Sequence, residues 1–523
     1  MKALRWIALS GISLVLVSPF GEAADWPQWR GPLRNGIVPD ASGLPAELTE
    51  TSSPVKLWES EEIPSDFYGG HGSVAVVDGK VYLSVVWHRD EPCDTRRIDG
   101  DVLSTLGHRG HDFSPELVAK MEADRLALSP RLRGKALDDW AAKWVADNLT
   151  DKQAVRLGSW VTGRFKQGKA ALPVSVFETL KAAPKEFPDQ AAMEAWVKSQ
   201  QFDTEITDRI IKAVPNSQKV ANDVILCLDA GSGKSFWRFE TPGEPSGRAS
   251  SSTPAVAGGK VFAALSGHIY AINAVTGDLV WKTPLTGRKG PASSPLVEGE
   301  LVYLQQGSLT AYDRNSGAVK WENKDASGAN ASPALWRGPK AAVILCNATN
   351  QLVGIDALSG ATLWTRPGGG DSSPTVVGDT LALASTQEGQ NLSVWNLTSD
   401  GPTLVWKKEF LAMRYASSPI IHEDHLYHLG SDRHLCLRIN DGETAWDYKA
   451  SSNISSPLLA DGKLFVYENN GGFLAMIKAD ANAYTPLGRS KVGALRCASP
   501  ALVGRRLYLR TGSSVACFEF PEG

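Results

Sequence analysis

The sequence predicts an all-β protein. The expected fold is an eight-bladed β-propeller of four-stranded antiparallel blades with tryptophan docking, plus an α-helical insertion in the first blade. Three observations predict it. First, a tryptophan recurs at Trp237, Trp281, Trp321, Trp364, Trp406 and Trp446, a step of roughly 40 residues, the period of propeller repeats. Second, most of these follow a compact unit best seen at Ala271–Trp281, A-I-N-A-V-T-G-D-L-V-W, in which Thr276-Gly277 makes a tight turn between two strands. Third, each unit is preceded by a Ser/Thr-Pro pair. These pairs stand at Thr253-Pro254, Ser294-Pro295, Ser332-Pro333, Ser373-Pro374, Ser418-Pro419, Ser456-Pro457 and Ser499-Pro500.

Taken in order, residues 1–24 read as a secretory leader. Lys2 and Arg5 precede an apolar run from Trp6 to Val17, and Gly21-Glu22-Ala23 offers a small-x-small cleavage site. Residues 25–54 are punctuated by proline and glycine, as in Trp26-Pro27-Gln28-Trp29-Arg30-Gly31-Pro32. They read as an extended arm laid on the propeller surface and docked by Trp26 and Trp29. Val55-Lys56-Leu57-Trp58-Glu59 is a strand with no partner nearby. It is expected to complete the last blade, whose own sequence ends at Ala516-Cys517-Phe518-Glu519 without a tryptophan. That closure removes an open sheet edge. A disguised first blade begins at Ser73 within residues 55–88, and the remaining blades fill 223–523. The seventh has decayed, with Tyr484 expected where its tryptophan would fall. Eight blades are predicted, with seven as the alternative count.

Residues 89–222 interrupt the first blade, and their texture is helical. Ser114-Pro115-Glu116 has an N-cap and a proline at the first helical position. Further helices are expected at 137–148, 151–165, 174–183, 190–200 and 204–213, with Trp140, Trp144, Trp160 and Trp196 in their cores.

Each blade must bury its faces against its neighbours, and tryptophan suits that task. Burying roughly 150–250 Å² of indole contributes up to roughly 4–6 kcal/mol before entropy is counted. Trp58, Trp237, Trp281, Trp321, Trp364, Trp406 and Trp446 are therefore assigned to inter-blade docking. The formal net charge of −3 leaves no global footprint for nucleic acid. Six cysteines stand at 93, 227, 346, 436, 497 and 517, none adjacent and none in C-x-x-C. Cys227, Cys436 and Cys517 share the repeat position of Ala271 and Ala311, which suits small core residues, and no disulfide is assigned. His422, His425 and His428 straddle a hairpin turn and read as surface histidines. His108, His111 and Asp112 share a loop. No metal site, hydrolase triad or phosphate loop is assigned.

The A-x-D-x-x-[ST]-G-x-x-x-W unit and the Ser-Ser-Pro strand openings resemble the pyrroloquinoline-quinone (PQQ)-like propeller repeat family over about residues 55–520, the insertion excepted. The resemblance implies two branches. One is quinoprotein alcohol dehydrogenases, which hold PQQ and calcium in the channel, use an aspartate base and carry a disulfide between adjacent cysteines. The other is non-enzymatic propellers such as the BamB-type factor, which assists outer-membrane protein assembly. This chain has no adjacent cysteines and no lipid-attachment cysteine after the leader. A periplasmic or secreted binding scaffold is therefore expected, monomeric, without a membrane span in the mature chain and without cofactor. Its partner would be an envelope or extracellular protein, or an anionic ligand. The alternative is a PQQ-dependent dehydrogenase of an alcohol or sugar.

The repeat register also marks one channel mouth. Positions three to six before each Ser/Thr-Pro include His71, Arg248, Lys289, Asn330, Asp371, Arg414, Tyr415, Asn453 and Arg496. Four cations against one carboxylate would focus a positive potential in a concave mouth, which predicts an anion-receptive opening.

Overall fold

A computed structural model describes residues 25–63, 69–246, 250–287, 290–328, 330–385, 392–409, 417–450, 455–495 and 498–523. Its strands form eight four-stranded antiparallel sheets. Seven of them are meanders of consecutive strands. The eighth joins Ala501–Val503, Arg506–Arg510 and Val515–Glu519 to Val55–Glu59 from the other end of the chain. Val55 pairs with Glu519 and Trp58 with Cys517. Innermost strands of successive blades lie side by side, and the first contacts those of the second and the eighth.

The tandem unit explains itself at the third and outermost strands. Each tryptophan stands opposite a small or β-branched residue across the ladder: Cys227, Ala271, Ala311, Gly354, Val394, Cys436 and Cys517 face Trp237, Trp281, Trp321, Trp364, Trp406, Trp446 and Trp58. The indole lies over that position, and a Cβ on Gly354 would meet the Trp364 ring at 2.2 Å. The cysteines at this position are buried free thiols. The ladder slips by a residue just after each of these pairs, a bulge that strengthens local twist.

The Asp of the unit builds the following turn. Asp313 Oδ1 accepts from Ser316 Oγ at 2.9 Å, Ser316 N at 2.9 Å and Asn315 N at 3.1 Å. Asp356 does the same with Ser359 N and Oγ, both at 2.7 Å. These bonds to Ser316, and those to Ser359, hold both carboxyls below the usual aspartate range. A depressed folded pKa contributes stability above the unfolded value near 3.8, and that stability disappears as pH falls through the folded pKa. The urea midpoint should therefore drop below about pH 4. The Asp313→Asn/Asp356→Asn double variant should show a shallower drop between pH 5 and pH 2. An unchanged acid limb would exclude these turns as its source. Asn273 occupies the same place in the second blade and already makes the turn with an amide oxygen.

Tyr484 does not take the place of the missing seventh tryptophan. In that blade Ala475 pairs with Arg489 and Ile477 with Pro486, so the register that elsewhere holds tryptophan falls opposite Met476, at Gly488. Tyr484 instead stacks on Tyr448 at 4.0 Å and meets Trp446 edge-on at 5.4 Å, on the sixth blade's side. The seventh-to-eighth seam is filled from elsewhere. Leu44 and Leu48 of the arm are buried there with Phe465, Met476, Phe518 and Phe520. Leu48 N donates to Leu487 O at 2.6 Å.

Strands Lys80–Pro92 and Ser217–Asp229 of the first blade each run 13 residues and stay paired out to Pro92 and Ser217. They form a ribbon that carries the helices. Helices at Pro115–Ala127, Lys135–Asn148, Asp151–Gln167, Val174–Lys181, Gln190–Ser199 and Thr204–Ala213 follow, as does a short one at Gly100–Thr105 that the apolar pattern did not reveal. Asp99 caps that short helix through Asp101 N and Val102 N. Two hydrophobic clusters hold the insertion together. One centres on Phe177, Leu180 and Met193, the other on Met121, Trp144, Val161 and Phe165. Trp144 is buried, and Trp140, Trp160 and Trp196 are partly buried against these clusters.

Candidate functional site: the channel and its mouth

Three levels succeed one another along each innermost strand, and together they define the channel. The loops before the Ser/Thr-Pro pairs form the mouth. The hydroxyl residues come next, and the strand itself runs on toward the far end.

At the middle level the hydroxyls form a belt. Ser499 N donates to Ser73 Oγ at 2.8 Å, and Ser73 N to Thr253 Oγ1 at 2.9 Å. The chain of bonds continues through Thr253, Ser294, Ser332, Ser373 and Ser418 to Ser456, with lengths of 2.7–3.1 Å. Seven bonds thus tie the backbone of seven of the eight blades to the next blade's side chain. The proline that marked these positions in the sequence is incidental. Ser73 is followed by Val74, yet it takes part in the belt on both sides. The recurring hydroxyl was the signal, and it was present in all eight blades.

At the far level the N-terminal arm fills the channel instead of lying on the outer surface. Trp26 and Val76 exchange backbone bonds at 2.8 Å, Val256 N donates to Pro27 O at 2.8 Å, and Val38 N donates to Leu459 O at 2.9 Å. Arg34 spreads over the third and fourth blades. Its Nε donates to Pro333 O at 2.9 Å, and its two Nη atoms donate to Pro295 O at 2.7 Å and Ser294 O at 3.1 Å. Arg30 reaches the fifth and sixth, donating to Thr375 Oγ1 and Pro419 O, both at 2.7 Å. The two guanidiniums are 2% and 3% exposed. Burial pulls both down to about 9, so both are cations at neutral pH, held by oxygen dipoles. Trp29 lies within 5.6 Å of one and 6.0 Å of the other. Trp26 is buried, and Trp29 is half-buried.

At the mouth level His71 is buried, and its N–H donates to Ser250 O at 3.0 Å. Asn330 Nδ2 donates to Asp371 Oδ1 at 2.7 Å, joining the fourth blade's loop to the fifth's. Arg248, Lys289, Arg414, Tyr415, Asn453 and Arg496 lie outside the described residues. The insertion rises at this end, since His88 on the ribbon accepts at Nε2 from Ser246 N in the loop leading to the second blade.

Between blades, five of the seven docking tryptophans donate the indole N–H to a backbone carbonyl. Trp58 donates to Ala230 O at 3.1 Å, Trp237 to Ala274 O at 3.2 Å and Trp281 to Arg314 O at 3.1 Å. Trp406 donates to Ile439 O at 2.7 Å and Trp446 to Asp480 O at 2.8 Å. Each acceptor belongs to the following blade. The turn glycine of that blade covers the ring. Gly317 has φ +73°, and a Cβ there would lie 2.5 Å from Trp281. Trp321 and Trp364 are only half-buried.

The histidines fall apart as a group. His425 and His428 lie on opposite faces of strand His425–Leu429, and His428 is buried, not on the surface. Burial, then the nearby His434, pulls His428 down to about 4, so it is neutral at pH 7. His111 stacks on Phe113 and Trp160 in the insertion, and Asp112 pairs with Arg156. Among the described residues no group of three or more His, Cys, Asp or Glu is placed to hold a metal ion.

The quinone branch requires calcium with six to eight oxygen ligands, several of them carboxylates. Among the described mouth residues Asp371 is a single carboxylate, already engaged by Asn330, and the far level is occupied by two cations. Among the described residues, one engaged carboxylate is fewer than such a calcium site takes.

Eight blades, a hydroxyl belt and docked tryptophans define a closed PQQ-like β-propeller. The model of the family described as outer membrane protein assembly factor BamB matches residues 221–446 and 400–519. The chain belongs to that family. BamB of Yersinia pestis is 27% identical over 291 residues, covering 49% of this chain and 70% of that protein. Tetrathionate hydrolase of Acidithiobacillus ferrooxidans is 29% identical over 175 residues, 29% of this chain and 33% of that protein's length. The crystal structure of BamB from Moraxella catarrhalis aligns with a TM-score of 0.46 and 20% identity, over 57% of this chain and 89% of that one. No helix among the described residues is long and apolar enough to cross a membrane.

Proposed function

We infer that this protein is a non-catalytic binding scaffold of the cell envelope, working in the periplasm or outside the cell through protein partners. The observation that supports it most is membership of the outer membrane protein assembly family across the blades. The channel chemistry agrees, because its far level is spent on the chain's own arm and not on a cofactor cradle. In this reading the mouth carrying Arg248, Lys289, Arg414 and Arg496, together with the helical insertion above the first blade, is where an envelope protein or an anionic ligand engages. No cofactor takes part.

Two measurements test this. Titration of the mature protein with PQQ and calcium, followed by heat and absorbance, should show no saturable binding. One-to-one binding would overturn the non-catalytic reading and call for an alcohol and sugar screen with an artificial electron acceptor. In-cell crosslinking from the mouth should trap components of outer-membrane protein assembly. The Arg248→Ala/Arg496→Ala variant should lower that yield several-fold, and an unchanged yield would remove the charged mouth from the proposal.

A further inference from the structure

The innermost strand of a blade has one edge paired with its own sheet and one edge facing the channel, so its channel-side carbonyls lack strand partners. In the third, fourth and sixth blades three of those carbonyls, at Pro295, Pro333 and Pro419, converge on guanidinium groups. Ser294 O and Thr375 Oγ1 complete the set. These acceptors come from four separate blades and meet two arginines four residues apart. No carboxylate is among the hydrogen-bond partners described for either arginine. A fork of directed N–H groups suits this arrangement, whereas a lysine ammonium would reach fewer of the oxygens. The backbone of the same segment supplies strand-like bonds to the first, second and seventh blades. Specificity through side chains and affinity through main-chain bonds to exposed strand edges is a recurrent mode of peptide recognition.

We propose that the far end of the channel is a peptide-binding site for an extended segment bearing two arginines in the spacing R-x-x-x-R, filled in this chain by its own residues 26–38. The arm is thus a tethered ligand that occupies the far end of the channel. The site requires no additional cofactor or partner chain and stands independently of the scaffold reading.

The test uses a protease site inserted in the exposed turn at Thr49–Ser53, which separates the arm from the closing strand in the folded protein. After cleavage and removal of the arm, a labelled synthetic peptide of residues 25–40 is titrated by fluorescence anisotropy. Saturable one-to-one binding is expected. Arg34→Ala in the peptide should weaken binding at least about tenfold, since charged hydrogen bonds are lost from buried acceptors. Arg34→Lys should rescue little of it. Equal affinity for the Arg30→Ala/Arg34→Ala peptide, or absence of binding to a stripped propeller that keeps its β circular dichroism, overturns the proposal. Should the stripped propeller lose its fold, hydrogen exchange in the intact chain decides. Arg34→Ala should then speed exchange at Trp26, Val38, Val76 and Val256 while Ser73 and Ser294 in the belt stay protected. Unchanged exchange at the first four overturns it equally.

Discussion

Trp58→Ala is expected to lower the unfolding free energy by about 3–5 kcal/mol, the usual range for truncating a buried aromatic. The size follows from where Trp58 stands. It is buried on the closing strand, opposite the small Cys517, with Tyr508 at 6.1 Å on one side. Gly233 of the first blade covers its ring so closely that a Cβ there would come within 2.4 Å. Removing the indole therefore leaves a cavity at the one seam where the chain's two ends meet. Its hydrogen-bond acceptor is not orphaned, because Tyr508 Oη also donates to Ala230 O at 3.3 Å, so the loss is chiefly packing. Trp364→Ala makes the contrast. That indole is half-buried, and the nearest approach of a Cβ on Gly401 is 3.5 Å. Urea unfolding of the two variants should rank Trp58 well above Trp364. Equal losses would mean that tight cover by the next blade's glycine does not set the strength of docking. Approached from the other side, Gly233→Ala overpacks the same seam at a positive φ and should cost about 1–3 kcal/mol.

The propeller was legible because its physics repeats. A tryptophan needs a small residue across the ladder and a glycine above it, and that requirement recurs in sequence as Ala or Cys, Ser/Thr-Gly and Trp. The closing strand was legible for the same reason, since Trp58 had no unit of its own and the last blade had no tryptophan. The helices of the insertion followed from caps such as Ser114, which accepts from Leu117 N. What repetition cannot encode was missed. The arm carries no periodic signal, so the burial of Arg30 and Arg34 in the channel was invisible. Arginines in a Pro/Gly-rich stretch read as solvated, and only the assembled ring of carbonyls gives them somewhere to go. Tyr484 was misplaced because the seventh blade has lost the Ser/Thr-Gly turn motif and Tyr484 is the one aromatic residue between Lys478 and Cys497. The strand pairing instead puts Gly488 in the tryptophan's register, bridged by Leu48 of the arm. His428 read as a surface residue because hairpin alternation alone does not say which face meets the next blade.

Glu122→Ala should destabilise the insertion by about 3–5 kcal/mol, the expected penalty for leaving buried charge uncompensated. Glu122 lies on helix Pro115–Ala127 between two arginines. Its Oε2 accepts from Arg125 Nη2 and its Oε1 from Arg164 Nη2, both at 2.7 Å. The side chains of Arg125 and Arg164 are 1% and 4% exposed. Arg164 also donates to Leu172 O at 2.7 Å and lies 5.3 Å from the Trp160 ring, so it has no solvated position to retreat to. With the carboxylate gone, two cations share one apolar wall beside Met121 and Phe165. Glu122→Gln keeps the shape and one acceptor, and should recover part of the loss. Replacing all three together, Glu122→Leu, Arg125→Leu and Arg164→Met, should recover most of it, because an apolar set of similar volume avoids the desolvation cost. Hydrogen exchange read separately on helix Asp151–Gln167 and on the blades is the measurement. Fast exchange confined to the helices would show that the insertion unfolds as its own unit on the ribbon. Equal acceleration in the first blade's strands Lys80–Pro92 and Ser217–Asp229 would show instead that the ribbon couples the two, and that the propeller depends on the charge triad it carries.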